Sequence, residues 1–144
     1  MYRTILVPTD GSDTSRRALE HAVAIAERFG ATVHLLGVVD PSRNPMLFGV
    51  DSAEELDDAV RSIVDEIAAV YEEGQIGIRG EVRRGRPHRA ILRYADEEDV
   101  DLLVMGRTGE ESLADALLGS TADRVVRYAT VPVVLVPAAN RRSD

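Results

Sequence analysis

Five short apolar runs alternate with segments of helical period along the whole chain, and this alternation restricts the possible folds more than any other feature. Arg3 to Pro8, Ala31 to Val39, Ile76 to Val82, Asp101 to Met105 and Val131 to Val136 are rich in β-branched and aliphatic residues and read as strands. Between the first two, Ser12 or Asp13 can cap a helix whose apolar face is Leu19, Ala22, Val23, Ala26 and Phe29, closed by Gly30. Pro41 to Asp51 reads as a loop. Leu56, Val60, Ile63, Ile67 and Val70 then repeat by fours and threes up to Gly74, with acids on the opposite face. Pro87 suits the first position of a helix carrying Ile91, Leu92 and Ala95, and 121–129 forms the last helix, with Ala122, Val125, Val126 and Ala129 apolar. Strands joined by helical crossovers run parallel, so the class is α/β with helices on both faces of one sheet.

Ligands of such sheets sit beyond the carboxyl ends of the strands, where the strand order reverses. At the fourth strand the chain runs Gly106-Arg107-Thr108-Gly109, then nine residues, then Gly119-Ser120-Thr121 into the last helix. Strand, glycine loop and helix start make a phosphate cradle: glycines admit an anion close to the backbone, and the first helical amides lack partners and carry the positive dipole end. Glycines also mark ordinary turns, so the spacing alone leaves both readings open. If the first and fourth strands are neighbours, Asp10 and Gly106 face the same crevice.

Composition removes several alternatives. The 144 residues, 44% hydrophobic, suit a single domain spanning 1–144. There is no apolar run long enough to span a membrane and no signal-peptide pattern before Tyr2-Arg3-Thr4, so a cytoplasmic protein without a membrane partner is expected. The absence of cysteine excludes disulfides and thiolate chemistry. All 17 basic residues are Arg, which excludes both the lysine-bearing phosphate loop and Schiff-base catalysis. A formal charge of −8 argues against a nucleic-acid partner. His21, His34 and His88 share no metal-ligand spacing, so no protein-built metal site is expected.

Ile5-Leu6-Val7-Pro8-Thr9-Asp10-Gly11-Ser12, Gly37-Val38-Val39-Asp40, Gly85-Arg86-Pro87-His88 and Met105 through Thr121 together resemble the universal stress protein family, in its ATP-binding branch. The last segment fits the family's G-x2-G-x9-G-[ST] signature without a gap, and the likeness runs nearly end to end. It implies a Rossmann-like, open five-stranded parallel sheet in the order 3-2-1-4-5, with ATP lying across the first and fourth strands. It also implies a homodimer through the last strand, Val131 to Val136.

The resemblance assigns nucleotide contacts to Pro8, Thr9, Asp10, Val38, Gly85, Met105, Gly106, Arg107, Gly109, Gly119, Ser120 and Thr121. Asp10 would accept hydrogen bonds on the ribose or adenine side, with Pro8 and Thr9 lining the same wall, although Asp-Gly-Ser is equally ordinary turn chemistry. Val38 would offer backbone groups to the adenine edge. Gly109, Gly119, Ser120 and Thr121 would hold the triphosphate, and Gly106 would allow closeness to the sugar and α-phosphate. Arg107 would reach the phosphates or remain solvated. Gly85 and His88 match the turn near the sugar-phosphate end, where His88 is read as structural. Mg²⁺ or Mn²⁺ would arrive bound to the phosphates.

Three functions follow from these residues. The first is an ATP-binding, dimeric regulator in stress response, whose segments 41–51 and 107–118 change order with occupancy. The second is a slow ATPase or adenylyl-transfer enzyme, which the sequence supports poorly because Asp10 is the only evident general base and no catalytic residue can be assigned. The third is a dimeric interaction module that binds no nucleotide, against which the complete glycine signature argues.

Overall fold

Ser12 converts the chain from strand to helix: its Oγ accepts from the Ser15 amide at 3.2 Å, capping an α-helix over Asp13–Phe29. The computed structural model describes residues 1–42, 53–108 and 118–139. In chain order the elements are β1 (Thr4–Thr9), α1 (Asp13–Phe29), β2 (Thr32–Val39), α2 (Ala53–Ala69), β3 (Ile78–Arg84), α3 (Pro87–Glu97), β4 (Leu102–Gly106), α4 (Ser120–Tyr128) and β5 (Val133–Val136). Gly30 closes α1 in the left-handed conformation, its amide donating to Ala26 O at 2.8 Å. Pro87 occupies the first turn of α3, where a missing N–H costs nothing.

All strand pairs are parallel, and the order is β3-β2-β1-β4-β5. Asp101 fixes the start of the central pair: its Oδ2 accepts from the Arg3 and Thr4 amides at 2.9 and 3.0 Å, while its own amide donates to Thr4 O. The alternation of strand side chains sorts the core into two layers. Ile5, Val7, Val33, Leu35, Leu102 and Val104 pack against Ala18, Leu19, Ala22 and Ala26 of α1 and Val64 and Ile67 of α2. Leu6, Leu36, Leu103 and Met105 face the other way, onto Ile91 and Tyr94 of α3 and Ala122 and Val125 of α4. No helix among the described residues is long and apolar enough to cross a membrane.

Several details depart from the sequence expectation. The third strand is Ile78–Arg84 rather than Ile76 to Val82, because Arg83 and Arg84 continue the ladder beside Val38 and Val39. As an edge strand β3 can carry charged side chains, and Glu81 pairs with Arg79 and Arg83. In α2, Leu56 and Ile67 are buried as expected and Val64 joins them, while Ile63 is 36% and Val70 73% exposed. Glycine tracks explain the rotation: a Cβ at Gly37 would stand 2.7 Å from Val60 and 2.8 Å from Val64, and one at Gly80 would stand 2.8 Å from Val64. The helix therefore lies down on the bare backbone of β2 and β3 with Val64 inward. Beyond Ala69 the bonding tightens to i→i−3 as far as Glu72, which leaves Val70 outside. Phe29, expected inside, is half exposed and stacks edge-on against Tyr2 at 5.1 Å; Val126 of α4 is also exposed. The last strand is Val133–Val136, shorter than Val131 to Val136.

Candidate functional site

The crevice forms where β1 and β4 run side by side. Ile5 is paired with Leu102 and Leu6 with Leu103, and continuing that register brings Thr9 level with Gly106 at the carboxyl ends. On the other flank Thr9 is paired with Gly37, so Val38 stands one step beyond, beside Asp10. This is the point at which strand order reverses, since the chain moves from β1 outward to β3 and returns to β4.

The turn from β1 into α1 is fixed by its own hydroxyls. Ser15 Oγ donates to Ser12 O at 2.8 Å, which uses its single proton; the 2.9 Å contact between Thr9 and Ser15 is therefore donated by Thr9. Thr9 Oγ1 in turn accepts the Gly11 amide at 3.1 Å, and Asp10 Oδ1 accepts the Ser12 amide at 3.0 Å. Gly11 supports the turn with φ +83°, which side-chain-bearing residues rarely adopt. Asp10 thus performs the turn role and is also held exposed at the mouth of the crevice.

Gly106 brings β4 tight against α1. A Cβ there would lie 2.8 Å from Thr14 Cγ2 and 3.1 Å from Thr108 O, so the strand end could not carry a side chain without moving. Arg107 N donates to Val136 O at 2.8 Å, and Gly119 N donates to Arg107 O at 2.9 Å, which returns the chain to the strand end before α4 begins. Gly119 is the N-cap of α4, with φ −64° and ψ 153°, and no side chain caps the helix. The first-turn amides of Ser120 and Thr121 therefore point out of the helix with the positive end of its dipole, flanked by two hydroxyls. Such a terminus can receive an anion.

Thr9, Asp10, Val38, Gly106, Arg107, Gly119, Ser120 and Thr121 thus gather along one end of the sheet. Pro8 and Met105 are buried, so they can present only backbone to the crevice. Gly85 stands farther out: its amide donates to Val39 O at 2.9 Å at the end of β3, two strands from β1, or about 10 Å at ordinary strand spacing. Gly109 lies outside the described residues. The sequence reading missed Thr14, Ser15 and Thr108. Ser15 and Thr108 are buried polar residues beside the site, and only their proximity in the fold identifies them.

The model of the universal stress protein family matches residues 1–137. Universal stress protein MJ0531 of Methanocaldococcus jannaschii is 36% identical over 140 residues, covering 94% of this chain and 82% of that protein. The universal stress protein UspA from Lactobacillus plantarum superposes with a TM-score of 0.74 at 34% identity, covering 94% of this chain and 97% of the other. A universal stress protein solved in complex with cAMP gives a TM-score of 0.74 at 30% identity, covering 96% and 99%. With its β3-β2-β1-β4-β5 sheet and strand-end crevice, the chain belongs to the universal stress protein family.

Proposed function

We propose that the crevice binds an adenine nucleotide, with ATP as the ligand, and that the protein acts as a dimeric, nucleotide-dependent regulator in stress response. The observation that carries this reading is the N-terminus of α4, capped by Gly119 alone and flanked by the Ser120 and Thr121 hydroxyls at the end of β4. Phosphate groups would take the amides and hydroxyls there. The ribose would meet Asp10, and the adenine edge would meet the backbone of Val38, which stands one step beyond the Thr9–Gly37 pair. The cAMP complex of a 30% identical relative supports an adenine ligand.

Mg²⁺ or Mn²⁺ would come bound to the phosphates. Among the described residues no three His, Asp or Glu side chains group closely enough to hold a cation, so the phosphate oxygens and water would supply most ligands. Backbone amides stabilise charge without moving protons, and this favours retention of ATP over its rapid hydrolysis.

Dimerisation would use β5. It ends the sheet with a row of unpaired backbone groups, and Val134, Val126 and Tyr128 leave apolar surface exposed beside it.

The test is to denature the purified protein, identify the released small molecules by mass spectrometry, and incubate the refilled protein with ATP overnight. ATP or ADP at near-stoichiometric yield, with ATP persisting through the incubation, is the expected result. No adenine nucleotide recovered and no saturable uptake on titration would overturn the reading in favour of a dimer without nucleotide.

A further inference from the structure

Val33 N donates to Gly77 O and Gly85 N donates to Val39 O, both at 2.9 Å, so the odd-numbered residues of β3 turn their peptide groups toward β2. Those of Ile78, Gly80 and Val82 point outward, and among the described residues β3 is the last strand on its side of the sheet. Two of the outward carbonyls are already bonded to side chains. Arg61, on α2, donates from Nη1 to Gly80 O at 3.0 Å, and Arg83 donates from Nη1 to Val82 O, also at 3.0 Å. One turn before Arg61, Asp57 Oδ1 accepts from Arg84 Nε at 3.0 Å, which ties this side of α2 to the end of the strand.

We propose that the edge of β3 is a strand-pairing surface held shut by Arg61 and Arg83, and that the partner it takes when they withdraw is β3 of a second copy. An open edge is a template for another strand, and a donor seated on its carbonyls blocks that pairing. The strand is complementary to itself in the antiparallel register centred on Gly80. There each Arg79 stands opposite Glu81 of the second copy and each Ile78 opposite Val82, so both charged pairs attract and both apolar pairs match. The same register makes Gly80–Gly80 and Ile78–Val82 the hydrogen-bonded pairs, which require the outward amides together with the two carbonyls that the arginines occupy.

The side chains of Arg61 and Arg83 are 44% and 39% exposed, so water can receive either guanidinium as it leaves. While the edge is shut, Glu81 is held by Arg79 at 3.0 Å and Arg83 at 3.2 Å on its own strand. Pairing hands it to Arg79 of the second copy. The β3 edge lies at the opposite end of the sheet from β5, and the proposal rests neither on pairing there nor on nucleotide binding.

The experiment is sedimentation velocity of the full chain from micromolar to near-millimolar concentration, with amide hydrogen exchange on the same samples. The variants are Arg61→Met, Arg83→Met and the two combined, since Met keeps an apolar stem and removes the donors. Arg28→Met/Arg124→Met, at exposed positions on α1 and α4, matches the change in charge. Removing two positive charges from a chain of formal −8 by itself opposes association, so a gain reports the edge. The combined variant should self-associate about tenfold or more tightly than the wild type, the single variants less, and the control not at all. New protection should appear at the Ile78, Gly80 and Val82 amides. Adding Glu81→Lys, which places like charge opposite Arg79, should abolish the gain although it leaves the chain less negative. Arg61→Met alone alters one exposed helical side chain and so keeps a folded protein to measure. Sedimentation of both Arg61→Met and the combined variant as wild type would overturn the proposal. So would association that leaves the three amides unprotected or that survives Glu81→Lys.

Discussion

Gly106 and Thr14 stand so close that a single added methyl group would bring β4 and α1 into collision, at 2.8 Å from Thr14 Cγ2. The crevice floor is thus set by the absence of a side chain on one element and the presence of one on the other. Gly106→Ala should destabilise the protein by about 1–3 kcal/mol, the usual cost of overpacking. Thr14→Ser removes the offending methyl, and in the double variant it should restore part of that loss. The contact to Thr108 O at 3.1 Å remains and prevents full recovery. Urea unfolding of the four proteins in the cycle measures the coupling.

The hydroxyl of Thr9 both donates to Ser15 and accepts from Gly11, so the isosteric Thr9→Val leaves two partners unsatisfied. A loss of about 1–3 kcal/mol is expected by denaturant unfolding, with faster hydrogen exchange at the Gly11 amide. Ser15→Ala should cost less when Thr9 is already Val than when it is Thr. Purely additive losses would contradict the hydrogen-bond assignment.

Stability should decline in mild acid through His34. It is buried with Nδ1 2.7 Å from the Tyr94 hydroxyl, and desolvation, followed by Arg79, lowers its affinity for a proton below the ordinary 6.5. Glu98 and Glu81 act in the opposite direction without cancelling this. The Tyr94 hydroxyl, under the guanidinium of Arg83, is itself pushed up to about 12 by burial and then by Glu81 and Glu98, and stays protonated. The unfolded chain takes up the His34 proton as pH falls through 6.5, whereas the folded protein does so only at lower pH. Unfolding free energy should therefore drop below pH 6.5, by at most about 1.4 kcal/mol per pH unit from this group. His34→Gln should flatten that part of the profile; an unchanged slope would assign the acid sensitivity elsewhere.

The proposed dimer is tested best at the edge-strand residue that the core does not use. Val133 and Leu135 pack toward the α3–α4 core, so charges there would damage the fold as well as the edge. Val134 is the exposed residue of β5. Val134→Glu should yield folded monomer by light scattering, with near-wild-type melting at high dilution. A persistent dimer would place the interface away from β5.

The class was legible because alternating strand and helix patterns leave few topologies, the strand order was what the family resemblance implied, and the glycine signature pointed to the crevice. Helix faces were less legible. Ile63 and Val70 fit the 3.6-residue period as well as Val64 does, and only the glycines at 37 and 80, on separate strands, decide which side lies down. The end of β3 was missed because a charged edge strand looks like a loop to a search for apolar residues. The hydroxyl network around Ser15 joins residues six apart across a turn, a relation that periodicity does not encode.

Backbone NMR during ATP titration is the decisive test of the proposed nucleotide site at the strand ends. Saturable shifts are expected, confined to Thr9–Ser12, Val38 and its neighbours, Gly106–Thr108 and Gly119–Thr121, with binding weakened about tenfold by Thr121→Ala. Saturable binding that leaves these amides unmoved while shifting others, or no binding at millimolar ATP, would contradict it.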